Sequence, residues 1–201
     1  MAKKCLVIGA EALSRVVDQH DRDSMIYSDG AGAMVVEASE DESSGILAHK
    51  SATYAFDEAH FIYFGESNNQ EVTDARRYIK MYGRKIYNFA LSNVPEAMKN
   101  CLDESGADIS ELKKVFIHQA NEKMDEAIIK RFYKLYDMEA PAAIMPMTID
   151  KLGNSSVATV PTLYDLVLNN QLEGHTVSEG DVIMFASVGA GMNINAIVYR
   201  V

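Results

Sequence analysis

Val115-Phe116-Ile117-His118-Gln119-Ala120-Asn121 decides the fold. The first three residues are apolar, and the run stops abruptly at a histidine and an amide-rich corner. A charged, periodic segment follows at once: Met124, Ile128, Phe132 and Leu135 recur at helical spacing, with Lys123, Lys130, Arg131 and Lys134 largely elsewhere. A buried strand that ends at such a corner delivers a side chain to a site at its C-terminal end. The stretch to read beside it is Leu152-Gly153-Asn154-Ser155-Ser156, a tight glycine turn ahead of another helix-like segment. A histidine at a strand end and an asparagine in a glycine turn can both donate hydrogen bonds to one oxygen. That is the equipment for polarising a carbonyl or holding an oxyanion. The same residues also suit plainer roles, the histidine as a bonded structural side chain and the asparagine as a turn former.

Working outward from the strand, the periodicity predicts a helix over residues 83–105, with Ile86, Ala90, Val94, Met98 and Leu102 on its apolar face. Pro95 is expected to interrupt it near the middle, and Gly106 to cap its C-terminus. Asp108 to Leu112 reads as a short turn. Residues 50–80 alternate aromatic and polar side chains, which fits strands or a hairpin over a cavity mouth, or an ordered loop. Further upstream, Cys5 to Gly9 is an apolar run that reads as a strand buried on both sides. Nothing before it supplies the neighbours, so the chain is expected to be a piece of a longer protein with a new start. Residues 11–28 read as a solvated loop. Ser28 to Glu37 reads as a tight turn and a strand whose backbone packs closely against something. This glycine-rich stretch lacks the Lys-Ser/Thr of a phosphate loop and leads into a strand, which argues against nucleotide binding. Residues 40–44 form an acidic turn and the first domain boundary, and a new strand starts at Ile46.

Downstream, residues 143–149 form a short apolar segment, and Val157 to Leu172 a third helix with Pro161 in its first turn. Val182 to Val188 is a buried strand. Gly189-Ala190-Gly191 turns it into a last strand over Met192 to Val201. Helices that alternate with buried strands predict an α/β protein, with a mixed sheet covered by helices on both faces.

Composition narrows the function. The 201 residues are 48% hydrophobic and 24% charged, as in a globular protein, and the net charge of −10 argues against nucleic-acid binding. No apolar run approaches the roughly 20 residues of a membrane span. Met1-Ala2-Lys3-Lys4 does not open a secretory signal. Cys5 and Cys101 lack metal-ligand spacing and fit a reducing cytosol, so no metal and a cytoplasmic location are expected.

Several motifs occur in one order: Leu6-Val7-Ile8-Gly9-Ala10-Glu11, Asp21-Arg22, Asp29-Gly30-Ala31-Gly32-Ala33, Met81-Tyr82-Gly83, His118-Gln119-Ala120-Asn121, Gly153-Asn154-Ser155-Ser156 and Gly189-Ala190-Gly191. Together they resemble the β-ketoacyl-acyl-carrier-protein synthase III family, nearly throughout the chain. The resemblance implies a thiolase fold, two similar α/β halves in a layered αβαβα stack. Residues 1–44 would be the last strands of the N-terminal half, and 45–201 the C-terminal catalytic half.

It also implies a decarboxylative Claisen condensation of an acyl-CoA primer with malonyl-acyl-carrier protein in fatty-acid synthesis, without a cofactor. In that family a cysteine of the first half takes the acyl group. On this chain His118 and Asn154 would be the catalytic pair, and the Ala190 turn would give a backbone N–H to an oxyanion hole. The family's usual turn there is Gly-Gly-Gly. Arg22 and Asn121 would lie near CoA and pantetheine, and Lys123, with Arg131 in the same basic cluster, would receive the acyl carrier protein. The full-length enzyme would be a homodimer. The family's Ala-Cys-Ala-Gly-type nucleophile stretch does not occur in these residues, so the chain is expected to be inactive alone. A non-catalytic partner subunit, or a polyketide-type acyltransferase, are the alternatives.

Overall fold

A four-stranded mixed sheet receives the run at 115–117. The computed structural model describes residues 3–41, 43–73 and 75–201; Met1, Ala2, Glu42 and Asp74 of the stretches read above lie outside them. The sheet is built from β3 (Gly45–Thr53), β6 (Leu112–Ile117), β7 (Val182–Gly189) and β8 (Asn193–Arg200) in the order β3-β8-β7-β6, with β6 parallel to β7 and the other pairs antiparallel. Two further pairs, β1 (Lys4–Ala12) with β2 (Asp29–Glu37) and β4 (Ile62–Gly65) with β5 (Tyr78–Met81), are antiparallel ribbons. Although β6 ends the strand order, it is almost wholly buried. The segment after α2 (Glu122–Lys134) covers its open edge: the Val115 N–H donates to the Ile144 carbonyl at 2.9 Å, and Lys114 Nζ to that of Ala143 at 2.6 Å. The apolar stretch at 143–149 is therefore an edge cover rather than a strand.

Side-chain alternation sorts β6 between two cores. Val115 and Ile117 pack with α1 (Gly83–Ser105) and α2, while Phe116 joins Leu163, Val167 and Ile183 under α4 (Thr159–Leu168). Burying a side chain such as Phe116 contributes roughly 1.5–3 kcal/mol. The sheet thus has helices on both faces, as expected. The apolar positions of α2 hold at Met124, Ile128 and Phe132, but Leu135 stands 41% exposed because the helix ends at Lys134.

Pro95 lies inside α1 without ending it, contrary to expectation. A proline removes the N–H that would serve the carbonyl four residues back, here that of Leu91. Arg131 Nη1 on α2 donates to that carbonyl at 2.9 Å. Gly106 ends the helix in the left-handed conformation. The third helix is shorter than its periodicity suggests: a 3-10 turn, Ser156–Ala158, precedes α4, which stops at Leu168.

The β1–β2 ribbon lies on α4 and the 3-10 turn before it, and glycine makes this approach possible. Gly9 and Gly32 face each other across the ribbon, and a Cβ on Gly32 would meet Pro161 at 2.5 Å, on Gly9 Val157 at 2.9 Å. So α4 is sandwiched between two sheets. The other face of the ribbon is open: Leu6, Ile8 and Val35 are 61%, 63% and 65% exposed. The strand at Cys5–Gly9 exists, but it is not buried on both sides here. Residues 11–28 are not a purely solvated loop either. Leu13 and Asp18 are buried, and Lys80 Nζ on β5 reaches Asp18 at 2.6 Å and Asp21 at 2.9 Å. The ribbon β4–β5 settles the reading of 50–80 as a hairpin at a cavity.

Candidate active site

His118 is the residue after β6, and its N–H donates to the Ala186 carbonyl at 2.9 Å, extending the pairing with β7 by one residue. The ring is half-buried, with Nδ1 2.6 Å from Thr159 Oγ1 at the start of α4. Burial pushes its pKa down to about 4, so the imidazole is neutral near pH 7. Gln119 next to it is buried and structural. Its Nε2 donates to the Ile117 carbonyl at 3.1 Å, and its Oε1 accepts from the Thr148 N–H at 2.8 Å.

Asn154 arrives from a different element. α3 (Ile149–Leu152) is a single helical turn, stopped by Gly153 at φ +69°, where a Cβ would lie 3.1 Å from the Ile26 carbonyl oxygen. The Asn154 N–H donates to the Ile26 carbonyl at 2.7 Å, and its own carbonyl accepts from the Ser28 N–H at 2.9 Å. Its side-chain Oδ1 accepts from the Ser156 N–H at 2.8 Å. With Oδ1 engaged, the NH2 group is the end left to serve a ligand.

Both side chains line one cleft of about 890 Å³. Its walls are mostly apolar: Leu13, Ile62, Phe64, Ile79, Met81 and Ile86 come from the 3-10 turn after β1, the β4–β5 ribbon and the start of α1. Among the polar groups that line it are His118 and Asn154, and the Ala190 turn lines it as well. An apolar cleft with a few convergent polar groups is the usual form of a small-molecule site. Ala190 is exposed at the turn between β7 and β8, and its carbonyl accepts from Asn193 Nδ2 at 2.7 Å, which steadies the turn.

The remaining expected residues are placed differently. Asn121 lines the cleft but is first of all the N-cap of α2, its Oδ1 accepting from the Met124 N–H at 3.2 Å. Lys123 is exposed on the first turn of that helix, beside cleft-lining Met124. Arg131 is exposed as a residue, with its guanidinium on the Leu91 carbonyl. Arg22 is exposed at the head of the 3-10 turn Arg22–Ile26; its neighbour Asp23 lines the cleft, and Arg22 does not. Neither cysteine lines the cleft: Cys5 is exposed on β1, and Cys101 is fully buried in α1, where burial pushes its thiol pKa up. Sequence reasoning missed Thr159. A threonine 41 residues from its histidine partner carries no local signal.

Among the described residues no group of three or more His, Cys, Asp or Glu is arranged to hold a metal, and no helix is long and apolar enough to cross a membrane.

Layered sheets around α4, with a histidine and an asparagine meeting in one cleft, define a thiolase-fold α/β protein. Residues 1–55 match the model of 3-oxoacyl-[acyl-carrier-protein] synthase III, and residues 102–201 that of its C-terminal region. The chain belongs to the 3-oxoacyl-[acyl-carrier-protein] synthase III family. It is 33% identical over 204 residues to the β-ketoacyl-[acyl-carrier-protein] synthase III of Erythrobacter litoralis, covering 100% of this chain and 59% of that one. The crystal structure of the Aquifex aeolicus synthase superposes with a TM-score of 0.84 at 30% identity, over 99% of this chain and 58% of that one. The Thermus thermophilus synthase gives 0.85 at 26%, over 100% and 60%. The 201 residues thus span about three-fifths of these relatives. Neither family model reaches residues 56–101, which include the β4–β5 wall of the cleft.

Proposed function

We propose that this chain supplies the decarboxylating half of a condensing site that joins an acyl primer to malonyl-acyl-carrier protein in fatty-acid synthesis. The observation that carries the reading is the meeting of a neutral imidazole and a free amide NH2 in one apolar cleft. When a malonyl thioester loses CO2, the electron pair of the broken C–C bond passes into an enolate, and charge gathers on the thioester oxygen. His118 Nε2–H and Asn154 NH2 stabilise that charge as donors without surrendering a proton. Each donor of this kind is worth about 3 kcal/mol of transition-state stabilisation. The enolate carbon then attacks the acyl thioester on a cysteine, the Ala190 N–H receives the resulting oxyanion, and the cysteine thiolate leaves and is protonated.

Neither Cys5 nor Cys101 suits the nucleophile, because neither lines the cleft. The reading therefore assigns it to the part of the relatives that these residues do not span, whether on the same polypeptide or a separate one. The open face of β1–β2, with Leu6, Ile8 and Val35, suits burial against that part. β1 and β2 pair only with each other among the described strands, and β3 opens the larger sheet, which supports 1–44 and 45–201 as pieces of two halves. Lys123, exposed next to cleft-lining Met124, fits carrier-protein docking, with Arg131 adding charge from a guanidinium already engaged. Arg22 and Asn121 flank the CoA and pantetheine entry. The condensation needs no cofactor, takes place in the cytoplasm, and in the complete enzyme belongs to a homodimer.

The test combines residues 1–201 with a cysteine-bearing N-terminal half and follows radiolabelled acyl transfer beside malonyl decarboxylation. The chain alone is expected to show no condensation, because groups that act as a unit fail together. The combination is expected to restore it. His118→Ala and Asn154→Ala are each expected to suppress decarboxylation far more than acylation. Condensation by residues 1–201 alone, or wild-type decarboxylation in His118→Ala, overturns the assignment.

A further inference from the structure

We infer that Thr159 is a positioning residue that fixes the tautomer of His118, donating its hydroxyl proton to Nδ1 so that Nε2 carries the ring proton into the cleft. The inference deepens the proposed function, which needs a donor at Nε2. Its ground is the surroundings of one oxygen.

Thr159 Oγ1 is buried and has three neighbours: His118 Nδ1 at 2.6 Å, the Ser156 carbonyl oxygen at 3.0 Å and the Gln119 N–H at 3.4 Å. The hydroxyl has a single proton, and two of the three neighbours have fixed roles. The Gln119 N–H only donates and the Ser156 carbonyl only accepts, so His118 Nδ1 alone is undecided. If the proton goes to Ser156, the imidazole must carry its own proton on Nδ1, and Nε2 presents a lone pair to the cleft. If it goes to Nδ1, Nε2 becomes the donor.

Three features favour the second arrangement. The Ser156 carbonyl already accepts the backbone N–H of Thr159, so it is satisfied without the hydroxyl. The Nδ1 contact is the shortest of the three, and 2.6 Å lies below the usual range of an N–H donating to oxygen. Thr159 is also the first residue of α4, where the partial positive charge of the helix N-terminus favours a lone pair, not an N–H, on the ring atom beside it. Depressed basicity keeps the ring neutral near pH 7, so one tautomer is there to be fixed.

The experiment is 15N NMR of residues 1–201 labelled at histidine, with the His118 signals identified by their loss in His118→Gln. Wild type at pH 7 is expected to show the Nε2–H tautomer, with a pyridine-like Nδ1. Thr159→Val, nearly the same shape without the hydroxyl, is expected to move His118 toward the Nδ1–H form, and Thr159→Ser to hold the wild-type pattern. A wild-type Nδ1–H tautomer overturns the inference and needs no variant to fold; an unchanged pattern in a folded Thr159→Val overturns it as well. None of these readouts involves catalysis, so they stand apart from the fate of the proposed function. In the reconstituted enzyme, Thr159→Val is expected to lower kcat for malonyl decarboxylation about 10- to 100-fold with KM little changed, and Thr159→Ser to recover it. A shifted tautomer with unchanged decarboxylation supports the role of Thr159 and overturns that of His118.

Discussion

Arg131 Nη1 donates to the Leu91 carbonyl at 2.9 Å, and that carbonyl is the one that Pro95 deprives of its helical partner. One side chain of α2 thus repairs the backbone of α1 and ties the two helices together. Arg131→Ala is expected to destabilise the protein by about 1–3 kcal/mol, since it leaves a carbonyl unpaired at the helix contact. Pro95→Ala restores the missing N–H, so the cost of Arg131→Ala should shrink in that background. A urea-denaturation double-mutant cycle reads the coupling; strictly additive effects would show that the two residues act separately.

That geometry changes how carrier-protein docking should be probed. Charge reversal at Arg131 would disturb α1 as well as the surface, whereas Lys123 is exposed on the first turn of α2. In a reconstituted enzyme, Lys123→Glu is expected to raise the apparent KM for malonyl-carrier protein several-fold at low salt, with the difference shrinking as salt screens the field. An equal KM at low salt removes Lys123 from docking.

Much of this architecture is legible in the sequence wherever a pattern is local and periodic. Val115, Phe116 and Ile117 announce a buried strand, Met124, Ile128 and Phe132 a helix face, and Gly153-Asn154 a turn whose asparagine lines the same cleft as His118. The illegible parts depend on partners far apart in the chain. Asp18 reads as one more acid in a solvated run, because its partner Lys80 lies 62 residues away. Pro95 reads as a break, because the arginine that compensates for it belongs to another helix. The apolar run at Cys5 reads as a strand buried on both sides, yet one side of the ribbon is open here. The run's composition suits a surface that these residues do not cover.

The Asp18–Lys80 pair anchors the 11–28 segment to β5, with Lys80 7% and Asp18 2% exposed. Burial alone would raise the Asp18 pKa, but the Lys80 ammonium and the Asn68, His20 and Ser67 donors outweigh it and hold the carboxyl well below its ordinary range. The stability from this shift is present above the unfolded pKa of 3.8 and is lost as the pH falls below it. Lys80→Met strands two carboxylates and is expected to cost about 3–5 kcal/mol near neutral pH. Acid titration of the variant should show a shallower loss of stability than wild type. An equally steep loss would place the acid-sensitive groups elsewhere.

The open face of β1–β2 carries a prediction about association. Leu6, Ile8 and Val35 expose an apolar patch on a ribbon whose outer strand edges are unpaired among the described residues, and such surfaces drive self-association. Residues 1–201 are expected to self-associate as concentration rises, and Ile8→Lys with Val35→Glu to reduce this. Light scattering that shows a clean monomer for wild type at high concentration would count against the patch.

Asp125 gives the sharpest pH signature. It is 1% exposed in the first turn of α2, and neither carboxylate oxygen has a hydrogen-bond partner. Burial pushes its pKa up to about 8; the Asn121 and Ala120 backbone amides, too poorly placed for full hydrogen bonds, counter only part of that. The folded protein therefore keeps a proton that the unfolded chain releases near 3.8, so the contribution is full below 3.8 and is lost as the pH rises through about 8. His118 has the opposite sign: its pKa falls from 6.5 to about 4 on folding, so its contribution is full above 6.5 and is lost as the pH falls toward 4. The two slopes oppose each other between pH 4 and 6.5, and between 6.5 and 8 the Asp125 slope stands without that opposition. Each unit of pH in that upper window is worth up to about 1.4 kcal/mol. Wild type is expected to lose stability from pH 6.5 to 8, and Asp125→Asn, which cannot ionise and keeps the shape, to flatten that loss and expose the His118 slope below it. Denaturant titrations at half-unit pH steps read both. A wild-type profile level from 6.5 to 8, or one that Asp125→Asn leaves unchanged, would mean that Asp125 is ionised in the folded protein.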